Sequence, residues 1–333
     1  SYAVKTRLAR KVEDSPISAV DLFCGAGGLT HGLLQAGIRV HAGIDIDKHA
    51  AYAYVANNPG AEFLNWDLTS QASESVAELF EPDKVRLLAG CAPCQPFSKL
   101  TNGRGRHKAW DLLDYFGRFI DDIRPELVTM ENVPELAERG KPVLDRFLAV
   151  LQHNGYEIGS RIVRCEQYRI PQIRRRFVLL ASRLGPIRIP EGKAKCPSRW
   201  KTVEQAIGHL PPVASGESCP ADRLHTAAQL SEMNMRRIKA TPHDGGTQRD
   251  WPDELRLDCH RKQSGKSFYQ IYGRMWWKRP SPTMTTLCTG LGNGRFGHPS
   301  QDRAITDREA ALLQTFPLRD DSSPDADNLK KWA

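Results

Sequence analysis

Long apolar runs are absent from the sequence. No apolar stretch in its 333 residues approaches the ~20 residues that a membrane-spanning helix needs. The basic stretch from Ser1 to Lys11 leads into polar residues rather than into the apolar core of a signal peptide. We therefore expect a soluble protein of the cytoplasm.

Closely spaced cysteines are also scarce. The eight cysteines are scattered along a large chain, which fits reduced thiols better than a disulfide scaffold. Cys91 and Cys94 form a C-x-x-C pair. A thioredoxin-like redox pair would have its first cysteine at an exposed helix start, whereas this pair follows a strand deep within a larger domain.

Acidic residues are outnumbered by basic ones. The 39 Asp and Glu residues against 47 Lys and Arg give a formal charge of +8 and an isoelectric point near 9.1. This excess suggests a polyanionic partner, although many proteins that bind no nucleic acid have a similar one. The length suffices for a large core and a second, smaller lobe.

Strands alternate with helices up to about Leu184. We predict strands at 17–23, 39–44, near 65, and at 85–89, 127–130, 157–163 and 177–181. Helices are predicted at 29–36, 47–57, 110–123 and 142–153. This alternation indicates an α/β, doubly wound, mostly parallel sheet covered on both faces. From Leu184 to about Pro280 the periodicity fails, which indicates a change of domain.

A glycine-rich turn and two acids end the first three strands. The turn contains Phe23, Gly25, Gly27 and Gly28. Such a turn lets the backbone approach a ligand beside the N-terminus of the following helix. Asp45 follows the second strand about 20 residues on, where dinucleotide-binding folds place an acid on a ribose hydroxyl, and Asp67 follows the third. Each feature alone suits a ligand-free turn or strand end, but together they favour an adenosine-type cofactor.

Cys94 follows the strand at 85–89 on a turn stiffened by Pro93. Ligands bind beyond the carboxyl ends of the strands in this fold, so a nucleophile here would lie beside a substrate. A buried structural thiol, half of a redox pair and a catalytic nucleophile are the three interpretations. Glu131, at the end of the neighbouring apolar strand, favours the nucleophile, although a salt bridge would also explain this carboxylate.

Three consecutive arginines precede Phe177. Alternation along a strand predicts Arg174 and Arg176 on one face and Arg175 on the other. Two guanidinium groups on one face suit a carbonyl or a phosphate ligand. A basic edge strand has the same pattern.

Cations and aromatic residues alternate between positions 261 and 279, with no acid among them. The cations are Arg261, Lys262, Lys266, Arg274, Lys278 and Arg279, and the aromatic residues are Phe268, Tyr269, Tyr272, Trp276 and Trp277. This mixture is typical of a nucleic-acid surface. A solvated face over a small core is the alternative.

Together these motifs resemble the cytosine-C5 DNA methyltransferases, in order and spacing, across nearly the whole chain. The resemblance is carried by Asp21-Leu22-Phe23-Cys24-Gly25-Ala26-Gly27-Gly28, Pro93-Cys94-Gln95, Glu131-Asn132-Val133, Gln172-Ile173-Arg174-Arg175-Arg176 and Arg303-Ala304-Ile305-Thr306-Asp307-Arg308-Glu309. It implies the Rossmann-like fold of the S-adenosylmethionine-dependent methyltransferases.

The resemblance implies S-adenosylmethionine as the cofactor, S-adenosylhomocysteine as the product, and no metal. By that resemblance Phe23 packs on the adenine, Asp45 binds the ribose and Asp67 lies near the exocyclic amine. The remaining cofactor residues are the glycines of the turn with Ile46, Pro93 and Leu112.

The resemblance also implies that the target cytosine is flipped out of the duplex. Cys94 as a thiolate would add to C6 and make C5 nucleophilic. Glu131 would contact N3 and the 4-amino group, and Arg176 would hold O2. Cys91 would then be a packing residue, and the redox interpretation loses its support.

Two further residues complete the candidate catalytic set. They are Arg174 and Gln95, and Gln95 opens a polar, basic loop at 99–108 that would close over the base. The base that removes the C5 proton is not identified by the sequence.

The resemblance assigns a role to each part of the chain. Residues 1–184 would form the catalytic and cofactor-binding domain, 185–280 the target-recognition domain, and 281–333 a segment that packs on the catalytic domain or the hinge. We expect a monomer that acts on double-stranded DNA in a prokaryotic cytoplasm, beside a cognate restriction endonuclease. A tRNA cytosine-5 methyltransferase and a non-catalytic DNA-binding homologue or subunit are the alternatives.

The sequence departs from the family pattern at two places. Arg169 stands where the family has a glycine after the tyrosine, so the turn before Pro171 is expected to differ. The family's terminal Gly-Asn-x-Val-Pro segment has no counterpart before Ala333, and Asn293 does not match it in position. A truncated chain, an unobserved segment and a second subunit that supplies the motif are three explanations.

Overall fold

Strands and helices alternate through the first part of the chain, as the sequence predicts. The computed structural model describes residues 12–93, 111–261 and 270–316. Its strands are β1 (Ile17–Leu22), β2 (Arg39–Ile44), β3 (Glu62–Leu64), β4 (Val85–Gly90), β5 (Leu127–Asn132), β6 (Glu157–Arg164), β7 (Arg175–Ser182), β8 (Ser218–Cys219) and β9 (Asp222–Thr226). Its α-helices are α1 (Gly28–Gln35), α2 (Ala50–Asn57), α3 (Ser73–Ala77), α4 (Asp111–Ile123), α5 (Lys141–His153), α6 (Val203–Ile207), α7 (Glu232–Lys239), α8 (Asp258–Arg261) and α9 (Asp307–Leu313).

Seven strands form one sheet in the order β3-β2-β1-β4-β5-β7-β6. The pairs β1/β2, β2/β3, β1/β4 and β4/β5 are parallel, and β5/β7 is antiparallel. The predicted doubly wound, mostly parallel fold is therefore confirmed. Because β2 lies on one side of β1 and β4 on the other, the strand order reverses between β1 and β4. Ligands bind beyond the carboxyl ends of the strands at such a reversal.

The strands of the sheet are apolar along their length because they lie in the core. Parallel strands with helices on both faces are buried on both sides, and β1 is buried from its second residue to its last. The apolar faces of α4 and α5 join this core, where the rings of Phe116 and Phe147 lie 5.4 Å apart. These contacts fix the carboxyl ends of the central strands.

Helix α2 begins three residues later than the sequence predicts. The side chain of Asp47 accepts the backbone N–H of His49 at 3.0 Å, which forms an Asx turn ahead of Ala50. Aspartate competes with the first helical turn in this way, because its short side chain reaches nearby backbone donors.

The chain divides into two compact units. The first contains the described residues up to Val163 together with Arg175–Pro190, and the second contains Arg164–Arg174 and the described residues from Glu191 onward. Residues 281–316 therefore belong to the second unit. The roles assigned above to residues 1–184, 185–280 and 281–333 stay predictions.

The second unit consists of short elements with small cores of its own. One core contains apolar side chains of α6 and α9 with Met275, Met284 and Phe296. Helix α6 begins with a capping box between Thr202 and Gln205. None of the helices in the described ranges is long and apolar enough to cross a membrane.

Candidate active site

The loop between β1 and α1 adopts backbone conformations that favour glycine. The φ angles of Phe23, Gly25 and Gly27 are +56°, +51° and +88°. A Cβ at Gly27 would lie 2.7 Å from the ring of Tyr54, whereas a Cβ at Gly25 or Gly28 would meet nothing within 4 Å. The loop is therefore closely packed at Gly27 and open at Gly25 and Gly28, where a ligand can approach the backbone. Positive φ at the bulky Phe23 is the kind of strain found at ligand sites.

Asp45 reaches this loop from the end of β2. Its Oδ2 accepts the N–H of Gly25 at 2.8 Å, and its Oδ1 accepts the N–H of Asp47 at 2.9 Å. Asn65, which the sequence analysis missed, donates through Nδ2 to the carbonyl oxygens of Asp45 and Ile46 at 3.0 and 2.9 Å. The structure thus brings together two predicted residues, Gly25 and Asp45. A polar side chain just after β3 was the only signal for Asn65.

The remaining predicted cofactor residues differ in exposure. Asp67 is exposed, and its Oδ1 accepts the N–H and the hydroxyl of Thr69 at 2.9 and 2.7 Å, which lowers the pKa of Asp67. Ile46 is 67% exposed, Pro93 is exposed and Leu112 is half-buried. These residues offer one carboxylate and three apolar side chains that are accessible to a ligand.

A buried polar network that the sequence did not reveal adjoins the glycine loop. Asp21 is fully buried, and its Oδ2 accepts the hydroxyl of Thr30 at 2.7 Å. The hydroxyls of Thr30 and Tyr54 are 3.1 Å apart, and Tyr54 packs against Gly27. Oδ1 of Asp21 has no hydrogen-bond partner among the described residues. Burial raises the pKa of Asp21 to about 7, against the opposing hydrogen bonds from Thr30.

Glu131 and Arg176 form an ion pair across the antiparallel strands β5 and β7. Glu131 is paired with Val178, and Arg176 lies two residues before Val178 on the same strand face, so the two side chains are diagonal neighbours, with Arg176 Nε 2.6 Å from Glu131 Oε1. Their side chains are 37% and 20% exposed, respectively. The structure therefore brings together two predicted catalytic residues, and the salt bridge considered for Glu131 is present.

Arg174 lies outside β7, which begins at Arg175. The predicted alternation of Arg174 and Arg176 on one strand face therefore does not hold, because the strand starts one residue too late to include Arg174. The carbonyl of Arg174 accepts the N–H of Cys165 at 2.9 Å within the second unit.

Cys94 and Gln95 lie outside the described residues, as does the loop at 99–108. The segment that leads to them is held at the ends of two other strands. The N–H of Cys91 donates to the carbonyl of Leu22 at 3.3 Å, and Asn132 Nδ2 donates to the carbonyl of Ala92 at 3.2 Å. The exit of β4 toward Cys94 is thus fixed between β1 and β5.

Cys91, which the resemblance makes a packing residue, lies in surroundings that favour the neutral thiol. Burial raises the pKa of its thiol, and so do the nearby carboxyl groups of Asp21 and Glu131. A thiol in such surroundings stays protonated and is a poor nucleophile.

Arg169, at the position of the family's glycine, adopts a backbone conformation that favours glycine. Arg169 has φ +65° and ψ +26°, which is the left-handed conformation, after a 3-10 helix over Cys165–Tyr168. Farther on, Gln172 forms an isolated bridge with Ser281, and its Oε1 accepts the N–H of Met284 at 3.2 Å. Within the second unit, the predicted Gln-x-Arg-x-Arg motif is thus anchored by its glutamine.

The basic and aromatic stretch is partly internal to the second unit. Arg274 is fully buried and pairs with Asp302, and Lys278 pairs with Glu204. Lys262, Lys266, Phe268 and Tyr269 lie outside the described residues. The prediction of a nucleic-acid surface was wrong for Arg274 and weakened for Lys278, because the fold supplies acids from distant parts of the sequence.

The late Arg-x-Ile-Thr-x-Arg-Glu motif is a buried ion-pair network. Both terminal nitrogens of Arg303 donate to the carboxylate of Glu309, at 2.7 and 2.8 Å. Thr306 and Glu309 form the capping box of α9. His298 Nε2 is 3.6 Å from Glu309, and burial lowers the pKa of His298 to about 3. These residues stabilise the second unit.

Comparisons with known proteins identify a matching family and similar sequences. A family model described as C-5 cytosine-specific DNA methylase matches residues 17–321. The chain is 45% identical over 302 residues to the Type II methylase M.HgiDII of Herpetosiphon aurantiacus, covering 90% of this chain and 84% of that protein. It is 30% identical over 331 residues to the Type II methyltransferase M1.BsuMI of Bacillus subtilis, covering 94% and 75%.

Solved structures share the fold. A candidate DNA modification methyltransferase encoded within an E. coli prophage superposes with a TM-score of 0.66 at 22% identity, covering 90% of this chain and 89% of that chain. The Dnmt2 methyltransferase of S. pombe superposes with a TM-score of 0.54 at 17% identity, covering 94% and 93%. These likenesses establish the fold alone.

Proposed function

The chain belongs to the C-5 cytosine-specific DNA methylase family, and we propose how its residues carry out the reaction. It is a DNA cytosine-5 methyltransferase of the prokaryotic restriction-modification kind, with the fold of the S-adenosylmethionine-dependent methyltransferases. The ion pair between Glu131 and Arg176, beside the strand that leads to Cys94, is the observation that carries the proposal.

S-adenosylmethionine is the proposed cofactor, and it supplies the electrophilic methyl group when bound. The open positions at Gly25 and Gly28, the carboxylates of Asp45 and Asp67, and the exposed Ile46 fit an adenosine with an amino-acid tail. Asp45 would accept from the ribose, because its carboxylate already lies against the loop. Apolar Phe23, Pro93 and Leu112 would enclose the adenine.

Cys94 is the proposed nucleophile. Its thiolate adds to C6 of the flipped cytosine, which makes C5 electron-rich, and loss of the C5 proton after methylation expels the thiolate. Glu131 stabilises the intermediate at N3 and the 4-amino group, and Arg176 holds O2. Arg174 and Gln95 are assigned to this site by the family motif. Because burial and two nearby carboxyl groups raise the pKa of the Cys91 thiol, Cys91 does not compete for this role.

The natural substrate is proposed to be double-stranded DNA, methylated by a monomer in the bacterial cytoplasm where a cognate restriction endonuclease acts. A tRNA substrate is less favoured because the similar bacterial proteins are Type II methylases. A non-catalytic role is less favoured because a mere DNA-binding protein needs neither Cys94 nor the pair of Glu131 and Arg176.

Transfer of label from methyl-labelled S-adenosylmethionine to mixed-sequence duplex DNA tests the proposal. We expect labelled 5-methylcytosine with the wild-type protein and with the Cys196→Ser control, which removes an exposed thiol elsewhere. Cys94→Ser should reduce transfer by about 10³-fold or more, because the nucleophile is lost. DNA that contains 5-fluorocytosine should form a covalent adduct at Cys94, because the fluorine cannot leave. Transfer that survives Cys94→Ser would refute the mechanism.

A further inference from the structure

Most cations in the described stretch 270–316 form ion pairs or hydrogen bonds within the second unit. The six are Arg274, Lys278, Arg279, Arg295, Arg303 and Arg308. Arg303 pairs with Glu309, Arg308 with Asp222 and Lys278 with Glu204. The buried Arg274 and Arg295 donate to backbone carbonyls, including those of Thr241 and Gly245. Five of these six positive charges are therefore already engaged.

Arg279 is the exception within this stretch. Its side chain is exposed, and none of the described acids lies within ion-pair distance of it. The centre of its guanidinium lies 4.6 Å from the centroid of the Trp276 ring. Its backbone is anchored because its carbonyl accepts the N–H of Val203 at 2.9 Å. The cation is thus held in place by stacking and not by a counter-charge.

Trp276 is itself held rigidly. The guanidinium centre of the buried Arg295 lies 3.9 Å from the indole centroid. Arg295 Nη1 donates to the carbonyls of Gly245 and Arg274 at 2.9 and 2.8 Å. The indole packs directly on Gly245, where any Cβ would overlap Trp276 Nε1. A fixed aromatic ring therefore supports an exposed arginine.

We infer that Arg279 on Trp276 is a preorganised DNA contact. The Trp276 ring lies against one side of the guanidinium, and the N–H groups of a guanidinium fit paired acceptor atoms. DNA offers such pairs at a backbone phosphate and at O6 and N7 of guanine. Because the ring already restricts the side chain, little conformational entropy remains to be lost on binding. This inference rests on the DNA substrate of the proposed function.

Lys278 provides a matched control. It is the adjacent cation, but its ammonium is paired with Glu204. Binding to duplex DNA would be measured by fluorescence anisotropy between about 50 and 200 mM salt, because the affinity of phosphate contacts falls over this range. One duplex would contain the site found by sequencing methylated DNA, and the other would have that site scrambled. Arg279→Ala should weaken binding to the first duplex about tenfold, whereas Lys278→Ala should change it less than about twofold.

The two acceptors give different results. An equal loss on both duplexes, with a salt slope lower by about 1, identifies a phosphate, and a loss confined to the methylated site identifies guanine. Either supports the inference if thermal unfolding of Arg279→Ala matches that of the wild type. Binding by Arg279→Ala within about twofold of the wild type would overturn it, and so would a loss that only follows unfolding. A wild-type protein that methylates no DNA would instead contradict the proposed function.

Discussion

Asp21 should make the stability of the first unit depend on pH in an unusual direction. Its carboxyl group is fully buried, and its Oδ1 has no partner among the described residues. Its pKa of about 7 lies far above the ordinary 3.8. Between those two pH values the folded protein therefore holds a proton that the unfolded chain releases, and stability falls as pH rises through that window.

The size of the effect follows from the pKa difference. A pKa of about 7 in place of 3.8 corresponds to about 4 kcal/mol of unfolding free energy, lost between pH 4 and pH 7 and constant above it. Asp21→Asn keeps an oxygen that can accept from Thr30 but cannot titrate. The variant should therefore gain stability relative to the wild type as pH rises. At pH 4 the two proteins should be closest.

Urea unfolding at several pH values measures this difference. The comparison with Asp21→Asn is needed because other groups titrate as well. His298, with a pKa lowered from 6.5 to about 3, acts in the opposite direction and costs stability as pH falls below 6.5. This contribution cancels between the two proteins. A difference that stays constant from pH 4 to pH 8 would refute the assignment of a neutral carboxyl group to Asp21.

Three further predictions concern the loop, the turn and the ion pair. Gly27→Ala should destabilise the protein more than Gly25→Ala in thermal unfolding, because only the Cβ at Gly27 meets the ring of Tyr54. Gly25→Ala should mainly weaken the binding of S-adenosylmethionine, as measured by calorimetry. Equal effects of the two substitutions on stability would contradict the packing. Arg169→Gly should raise the unfolding free energy by about 1 kcal/mol in urea titrations, because glycine removes the strain of the left-handed conformation. Arg169→Ala keeps that strain and should not raise the unfolding free energy. Glu131→Gln should lower the single-turnover methyl-transfer rate about 10²-fold or more, since the charge that stabilises the protonated N3 is lost, and a rate within a factor of about three of the wild type would argue against that role.

The positions of the site loops could be predicted because strand ends are visible as pattern breaks. The predicted strands at 39–44, 85–89 and 127–130 correspond to β2, β4 and β5, and parallel strands bring their carboxyl ends to one edge. Asp45 was therefore expected near the glycine loop, and its hydrogen bond to Gly25 is found.

Contacts between residues distant in sequence could not be predicted in the same way. Nothing near Arg274 or Lys278 in the sequence shows that Asp302 and Glu204 neutralise them. Asp21 is likewise a single acid inside an apolar run, and its partner Thr30 becomes apparent only when α1 packs on β1. The absence of acidic residues between positions 261 and 279 therefore did not predict the charge of the folded surface.

The ion pair between Glu131 and Arg176 has a consequence for the choice of base. The carboxylate of Glu131 and the guanidinium of Arg176 neutralise each other at 2.6 Å. A base that binds both groups must therefore replace this ion pair. With the proposed roles, cytosine restores both contacts, because its amino group faces the carboxylate and its O2 faces the guanidinium. Thymine would turn its O4 acceptor toward Glu131 where cytosine has an amino donor, so two acceptors would face each other. With these proposed roles, the ion pair would favour cytosine over thymine before any covalent bond forms.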